Sequence, residues 1–169
     1  NLKISKDLKD FLEYFGFNVI MTRESDVSIE SDNGKKNKKT SDLYNRLNSM
    51  KENPDAIFVS IHMNSFPEKK YSGLQVYYSK NDPMSRTLAE GIQSAAKLFL
   101  DPDNTRRAKE ANSSIYLLDR LECPAVMVEC GFLSTPDECE KLSQKDYQKE
   151  LSFSILCGII NYIEEIDKN

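Results

Sequence analysis

The sequence predicts an α/β fold: a mixed, mostly parallel β-sheet flanked by α-helices on both faces. Two apolar runs carry that prediction. Ala56-Ile57-Phe58-Val59-Ser60-Ile61-His62-Met63-Asn64-Ser65 and Pro124-Ala125-Val126-Met127-Val128-Glu129-Cys130-Gly131-Phe132 are short, rich in β-branched residues and not alternating. Such runs read as strands buried on both faces, which belong to sheets covered by helices. The third observation is that segments of helical period lie before, between and after them. Each run also ends on a polar, proton-competent side chain, His62 (the only histidine) and Glu129. In open α/β sheets the carboxyl ends of the strands form the ligand crevice, so both residues are candidates for chemistry. Taken singly, each has a bland reading, a satisfied structural histidine or a solvated glutamate. Two such groups delivered to one sheet edge weigh towards function.

Taken in order, Leu2, Ile4, Leu8, Phe11, Leu12 and Phe15 recur at helical spacing and predict an amphipathic helix ending near Gly16. Phe17 to Met21 is expected as a short strand, and Thr22 to Asp26 as a polar loop. Ser31 to Thr40 holds no apolar residue and reads as a mobile loop, with Thr40 or Ser41 capping the next helix. In that helix Leu43, Leu47 and Met50 make the buried stripe, with Arg46 close to it, and Asn53-Pro54-Asp55 ends it. After His62 comes a loop at Phe66 to Lys70, then Gly73 to Tyr78, which alternates like a strand with one wetter face. Asn81-Asp82-Pro83 starts a helix carrying Leu88, Ile92, Ala95, Ala96 and Phe99. Asp101 to Asn112 is polar, and its Arg106, Arg107 and Lys109 either form a solvated face or meet an anionic ligand. Ile115 to Leu118 is expected as a strand. Thr135-Pro136-Asp137-Glu138 has the form of a capping box, and the final helix runs from about Asp146 to Ile166.

Composition narrows the function classes. A chain of 169 residues, 39% hydrophobic and 30% charged, fits one globular domain spanning 1–169. With 23 basic against 27 acidic residues, a general nucleic-acid binder is disfavoured, because phosphate neutralisation needs a cationic surface. Neither a signal peptide nor an apolar run long enough to span a bilayer is seen. The chain opens at Asn1-Leu2-Lys3 without an initiator methionine and is expected to be processed or trimmed. Cys123, Cys130, Cys139 and Cys157 lack the close paired spacings of a zinc ribbon or thioredoxin motif and are expected as unpaired thiols. Strand alternation turns Cys130 away from the face that Glu129 uses. There is no G-x-G-x-x-G, no phosphate loop and no G-x-S-x-G elbow, which argues against nucleotide-binding domains and serine hydrolases.

The order Val19-Ile20-Met21-Thr22-Arg23 with Asp26, the helix bearing Arg46, S-I-H-M-N at 60–64 and P-A-V-M-V-E-C-G-F-L-S at 124–134 resembles the zinc-dependent N-acetylmuramoyl-L-alanine amidases of the Amidase_3 family. The likeness runs through nearly the whole chain. It implies a helix-flanked sheet and one catalytic zinc. The implied reaction is hydrolysis of the amide joining the lactyl group of N-acetylmuramic acid to L-alanine of the peptidoglycan stem peptide. By position in the motifs His62 resembles a zinc ligand and Glu129 the catalytic glutamate. An open zinc site lowers the pKa of its bound water from about 16 to about 7, and a neighbouring carboxylate takes the proton during attack. Family members carry two further ligands, a His and a Glu, in a segment corresponding to residues before Asn1, so the chain is expected to be N-terminally incomplete and, as it stands, poor in zinc and inactive. Arg46, Asn64 and Arg106 are candidate substrate contacts. Within the family, the compact domain and Lys-, Asn- and Ile-rich composition are similar to the spore-cortex amidases of the CwlD type. That implies stem-peptide removal for muramic-δ-lactam formation, an extracytoplasmic location in the cell wall or forespore intermembrane space, and an activating protein partner such as a spore lipoprotein. The competing class is a non-catalytic peptidoglycan-binding or interaction module that keeps the amidase fold.

Overall fold

The computed structural model describes residues 1–27, 38–68 and 71–168. Its elements are α1 (Leu2–Tyr14), α2 (Lys38–Lys51), β1 (Phe58–Asn64), β2 (Gln75–Tyr78), α3 (Met84–Phe99), β3 (Lys109–Glu110), α4 (Tyr116–Arg120), β4 (Ala125–Phe132), α5 (Pro136–Ser143) and α6 (Lys145–Ile166). The four strands form one sheet in the order β1-β4-β2-β3. β1 runs parallel to β4 and β2 parallel to β3, while β2 and β4 are antiparallel. The sheet is thus mixed and mostly parallel, as the sequence implied.

Alternation sorts the strand residues between two cores. Ile61, Val76, Val126 and Val128 turn to one face and pack with Ile4 and Leu8 of α1, Leu88 and Ile92 of α3, and Leu151, Ile155 and Ile159 of α6. Phe58 and Ala125 turn to the other and pack with Leu47 of α2 and Leu117 and Leu118 of α4. Each aliphatic side chain fully buried this way contributes about 1.5–3 kcal/mol, more than the roughly 1 kcal/mol spanned by intrinsic strand preferences. The layer of α3 and α6 is tight because glycines face each other: a Cβ on Gly158 would lie 2.4 Å from Ile92 Cα. α1 ends in a left-handed residue, Gly16 at φ 86°, with Gly16 N–H donating to Glu13 O and Phe17 N–H to Leu12 O, the Schellman pattern. Ser152 of α6 donates to Ile4 O at 3.0 Å and fixes α1 against α6. Gln93 of α3 accepts from Val76 N–H at 3.0 Å and donates to Leu74 O at 3.0 Å, pairing β2 by a side chain.

Several sequence expectations are corrected. Phe17 to Met21 makes no strand, because among the described residues nothing lies beside it to complete a ladder. Ile115 to Leu118 is not a strand either: Ile115 caps α4, and four apolar residues are too few to show a period. Helix α2 begins at Lys38, so Thr40 and Ser41 lie inside it and do not cap it. Residues 31–37 of the expected mobile loop lie outside the described residues. β2 begins at Gln75, since Gly73 adopts φ 86°. The capping box before α5 does not form: Thr135 donates to Tyr71 O at 2.6 Å, and the Glu138 carboxylate accepts from Gly73 N–H at 2.7 Å and Phe132 N–H at 2.9 Å.

Among the described residues β1 pairs with β4 alone. Its other edge borders a trough of about 1110 Å³ lined by Leu8 and Leu12, Val19 and Met21, Leu43 and Arg46, and by Ile57, Val59, Ile61 and His62. Among the described residues that edge of β1 is unpaired, and an unpaired edge beside an apolar trough can accept a further strand.

Candidate active site

His62 on β1 is the register partner of Glu129 on β4. Paired residues of adjacent strands sit about 4.8 Å apart and project from the same face, so the imidazole and the carboxylate emerge together at the carboxyl end of two parallel strands. The face is the one bearing Phe58 and Ala125, not the one into which Cys130 points. The pairing breaks immediately afterwards: Asn64 is opposite Phe132, leaving one extra residue on β4 at Cys130-Gly131. A bulge at that point ends the ladder and aims the strand ends apart, a feature common next to active sites.

Glu129 Oε2 is buried and accepts no hydrogen bond among the described residues. Desolvation raises the carboxyl pKa above that of an ordinary glutamate. An unpaired buried carboxylate oxygen at a strand end costs stability with no packing return, which makes Glu129 a candidate for chemistry. His62 is exposed as a residue, yet its pKa is lowered, first by desolvation and then by the positive charge of Arg46. The imidazole is therefore neutral at physiological pH, with a ring nitrogen lone pair to offer. These properties suit His62 as one ligand of a divalent cation and Glu129 as a base beside it. They do not complete a metal site, for among the described residues no group of three His, Cys, Asp or Glu side chains converges.

The substrate candidates fall on different sides of this pair. Arg46 lies beside His62 on the trough, held by Asp42 (Nε to Oδ2, 2.7 Å; Nη2 to Oδ1, 3.3 Å) and by Thr22 (Nη1 to Oγ1, 2.6 Å). Its forked ion pair leaves it an electrostatic neighbour of His62. Asn64 continues β1 beyond the bulge, its carbonyl accepting from Leu133 N–H at 2.8 Å. Arg106 lies across Glu129 from His62, against the ring of Phe132 at 4.9 Å. Sequence reasoning missed Gln75, which pairs with Glu129 from the β2 side and is 1% exposed. A polar residue opening a strand that otherwise buries Val76 was the available signal. It also missed Glu138, whose two backbone hydrogen bonds tie the entry of β2 to the end of β4 three residues beyond Glu129.

Comparison with known proteins places this geometry. Residues 1–161 match the family model Amidase_3, N-acetylmuramoyl-L-alanine amidase. A germination-specific N-acetylmuramoyl-L-alanine amidase of Bacillus subtilis is 34% identical over 97% of this chain and 69% of its own length. The CwlD amidase of Clostridioides difficile, solved in complex with the GerS lipoprotein, superposes with a TM-score of 0.91 at 36% identity, covering 96% of this chain and 84% of that one. AmiC2 of Nostoc punctiforme, also an N-acetylmuramoyl-L-alanine amidase, superposes with a TM-score of 0.80 at 25% identity, covering 96% and 82%. With a likeness that spans both cores and the strands bearing His62 and Glu129, the chain belongs to the Amidase_3 family of N-acetylmuramoyl-L-alanine amidases.

Proposed function

We propose that this chain is the catalytic part of a zinc-dependent amidase that cleaves the bond between the lactyl group of N-acetylmuramic acid and L-alanine in peptidoglycan. The observation that carries the reading is the register pairing of His62 with Glu129, whose Oε2 is buried without a hydrogen-bond partner. His62 would hold the zinc. The remaining ligands, a His and a Glu, would come from a segment preceding Asn1, for which the open edge of β1 and its apolar trough provide a place. Zinc, when bound, supplies Lewis acidity to the scissile carbonyl and acidifies a water. Glu129, with its proton affinity raised by burial, takes the proton from the attacking water and passes it to the departing amine of L-alanine. An amide is a poor electrophile with a poor leaving group, so this shuttle is needed at both ends of the reaction.

The relatives lend support to a finer setting. A germination-specific amidase and a CwlD amidase among them support a role in germination, which we read as spore-cortex maturation through muramic-δ-lactam, outside the cytoplasm. A lipoprotein partner is supported by the complex in which that CwlD was solved. No described helix is long and apolar enough to cross a membrane. One observation favours the rival reading of a non-catalytic peptidoglycan-binding module: the described residues do not assemble three metal-ligating side chains. Purified spore-cortex peptidoglycan decides between them. The amidase must release peptides with free L-alanine amino termini and no new reducing sugar, lose this on chelation and regain it with zinc; binding without release, in a chain extended upstream and loaded with zinc, would establish the module instead.

A further inference from the structure

On the side of Glu129 away from His62 lies a second cavity, of about 650 Å³, whose floor includes Gln75 and whose rim carries Arg106, Arg107 and Lys109. That size suits a small polar ligand or a few residues of peptide. Arg106 is held rigidly: Nε donates to Ser72 O at 2.7 Å, Nη1 approaches Gln75 Oε1 at 3.5 Å, and the guanidinium carbon sits 4.9 Å from the centroid of Phe132. Gln75 is itself fixed, donating to Arg107 O at 2.6 Å. Asp101 and Asp103 share the rim, yet among the described residues none of the three cations is in an ion pair. An arginine preorganised on backbone and ring, with no carboxylate of its own, is arranged to receive one from a ligand.

We propose that this cavity is a subsite for the free carboxylate of an acidic peptide, and that Arg106, helped by Arg107 and Lys109, makes the enzyme prefer stem peptides whose second residue is unamidated. The inference rests on the proposed amidase reading and names the part of the substrate that the reading leaves open. Its distance is right. Gln75 lies opposite Glu129 on the neighbouring strand, about 5 Å away, and Arg106 is one contact further. A carboxylate on the residue after L-alanine, two extended residues or roughly 7 Å from the scissile bond, reaches this cavity when the amide is at Glu129.

Calorimetric titration of the chain tests this without turnover. The ligands are L-alanyl-γ-D-glutamyl-diaminopimelate and the same peptide amidated at the glutamyl carboxylate. The acidic peptide is expected to bind roughly tenfold or more tightly, an advantage that shrinks at about 0.5 M salt and disappears in Arg106→Gln. The double variant Arg107→Gln/Lys109→Gln, which leaves the Arg106 contacts in place, should lower the affinity for the acidic peptide alone. That variant decides the matter if Arg106→Gln does not fold. Equal affinity for the two peptides, no binding of either, or an undiminished preference in the double variant together with Arg106→Gln overturns the subsite. In the upstream-extended, zinc-loaded chain, cleavage of peptidoglycan without preference would overturn the subsite and leave the amidase reading standing; preference without cleavage would do the reverse.

Discussion

Replacing Glu129 with Gln separates chemistry from folding at this site. Gln has the same shape, and Oε2 has no hydrogen bond to lose, so the substitution fits without rearrangement. What it removes is the proton acceptor. Loss of a positioned general base slows the chemical step by about 10²–10⁴-fold, or roughly 2.7–5.4 kcal/mol in barrier height. Stability responds in the opposite sense. Burial raises the carboxyl pKa of the folded chain above the unfolded value. Between these two values the folded state still holds a proton that the unfolded state has released, so the stability of the unsubstituted protein falls as pH rises through that interval and the deficit persists above it. The amide of the Glu129→Gln variant does not titrate and carries no such dependence. In the metal-free protein, Glu129→Gln should therefore unfold at an equal or higher temperature than the parent at pH 7, with the difference closing on acidification into the ordinary glutamate range. Release of peptides from peptidoglycan by the zinc-loaded, upstream-extended chain, with melting followed by circular dichroism at both pH values, provides the measurements. A variant retaining more than a tenth of the parent rate, or one that melts lower at pH 7 than at pH 4 relative to the parent, would refute the assignment of Glu129 as a buried base.

Other consequences are as direct. Because His62 is the only histidine, its imidazole proton resonance is unambiguous: it should titrate below 6.5, and Arg46→Gln should move it upward by removing the second cause of the shift. A resonance titrating above 6.5 would contradict the desolvated, cation-flanked setting. Gly158→Ala sets a Cβ 2.4 Å from Ile92 Cα and must spread α3 from α6, costing about 1–3 kcal/mol and several degrees of melting temperature. Glu138→Ala strands the N–H groups of Gly73 and Phe132, and denaturant titration should show a loss of roughly 1–3 kcal/mol. Cys130 is fully buried and its thiol is pushed up to about 12, so at pH 8 a thiol reagent should label exposed Cys139 first and leave Cys130 untouched until the chain unfolds.

The strands that carry His62 and Glu129 were legible because each is a continuous apolar run, and burial on both faces leaves that mark on a sequence. Their mutual register was not. Parallel neighbours are joined through distant connections, so no turn length announces which residue of β1 meets which of β4, and the pairing is set by packing against two separate cores. Local pattern also misled where a short segment admitted two solutions. Ile115 to Leu118 is apolar enough for a strand but is taken up by α4, which buries Leu117 and Leu118 against the sheet. Phe17 to Met21 has strand composition and no partner among the described residues.

Glu138 shows why a supporting contact escaped a reading that singled out His62 and Glu129 as candidates for chemistry. Its spacing from Thr135 satisfies a capping box, and nothing local distinguishes that use from the one it has, which is to hold two chain segments that meet only in the folded state. Groups proposed for chemistry stand out by violating local rules, as a carboxylate closing an apolar strand does at Glu129. Supporting groups obey local rules and then act elsewhere. The two kinds of group should thus fail differently on substitution: Glu129→Gln slows turnover by about 10²–10⁴-fold in a protein that folds, whereas Glu138→Ala loosens the ends of β2 and β4 and lowers stability and turnover together. Equal loss of turnover from both with unchanged stability would place Glu138 among the reactive groups and overturn that division.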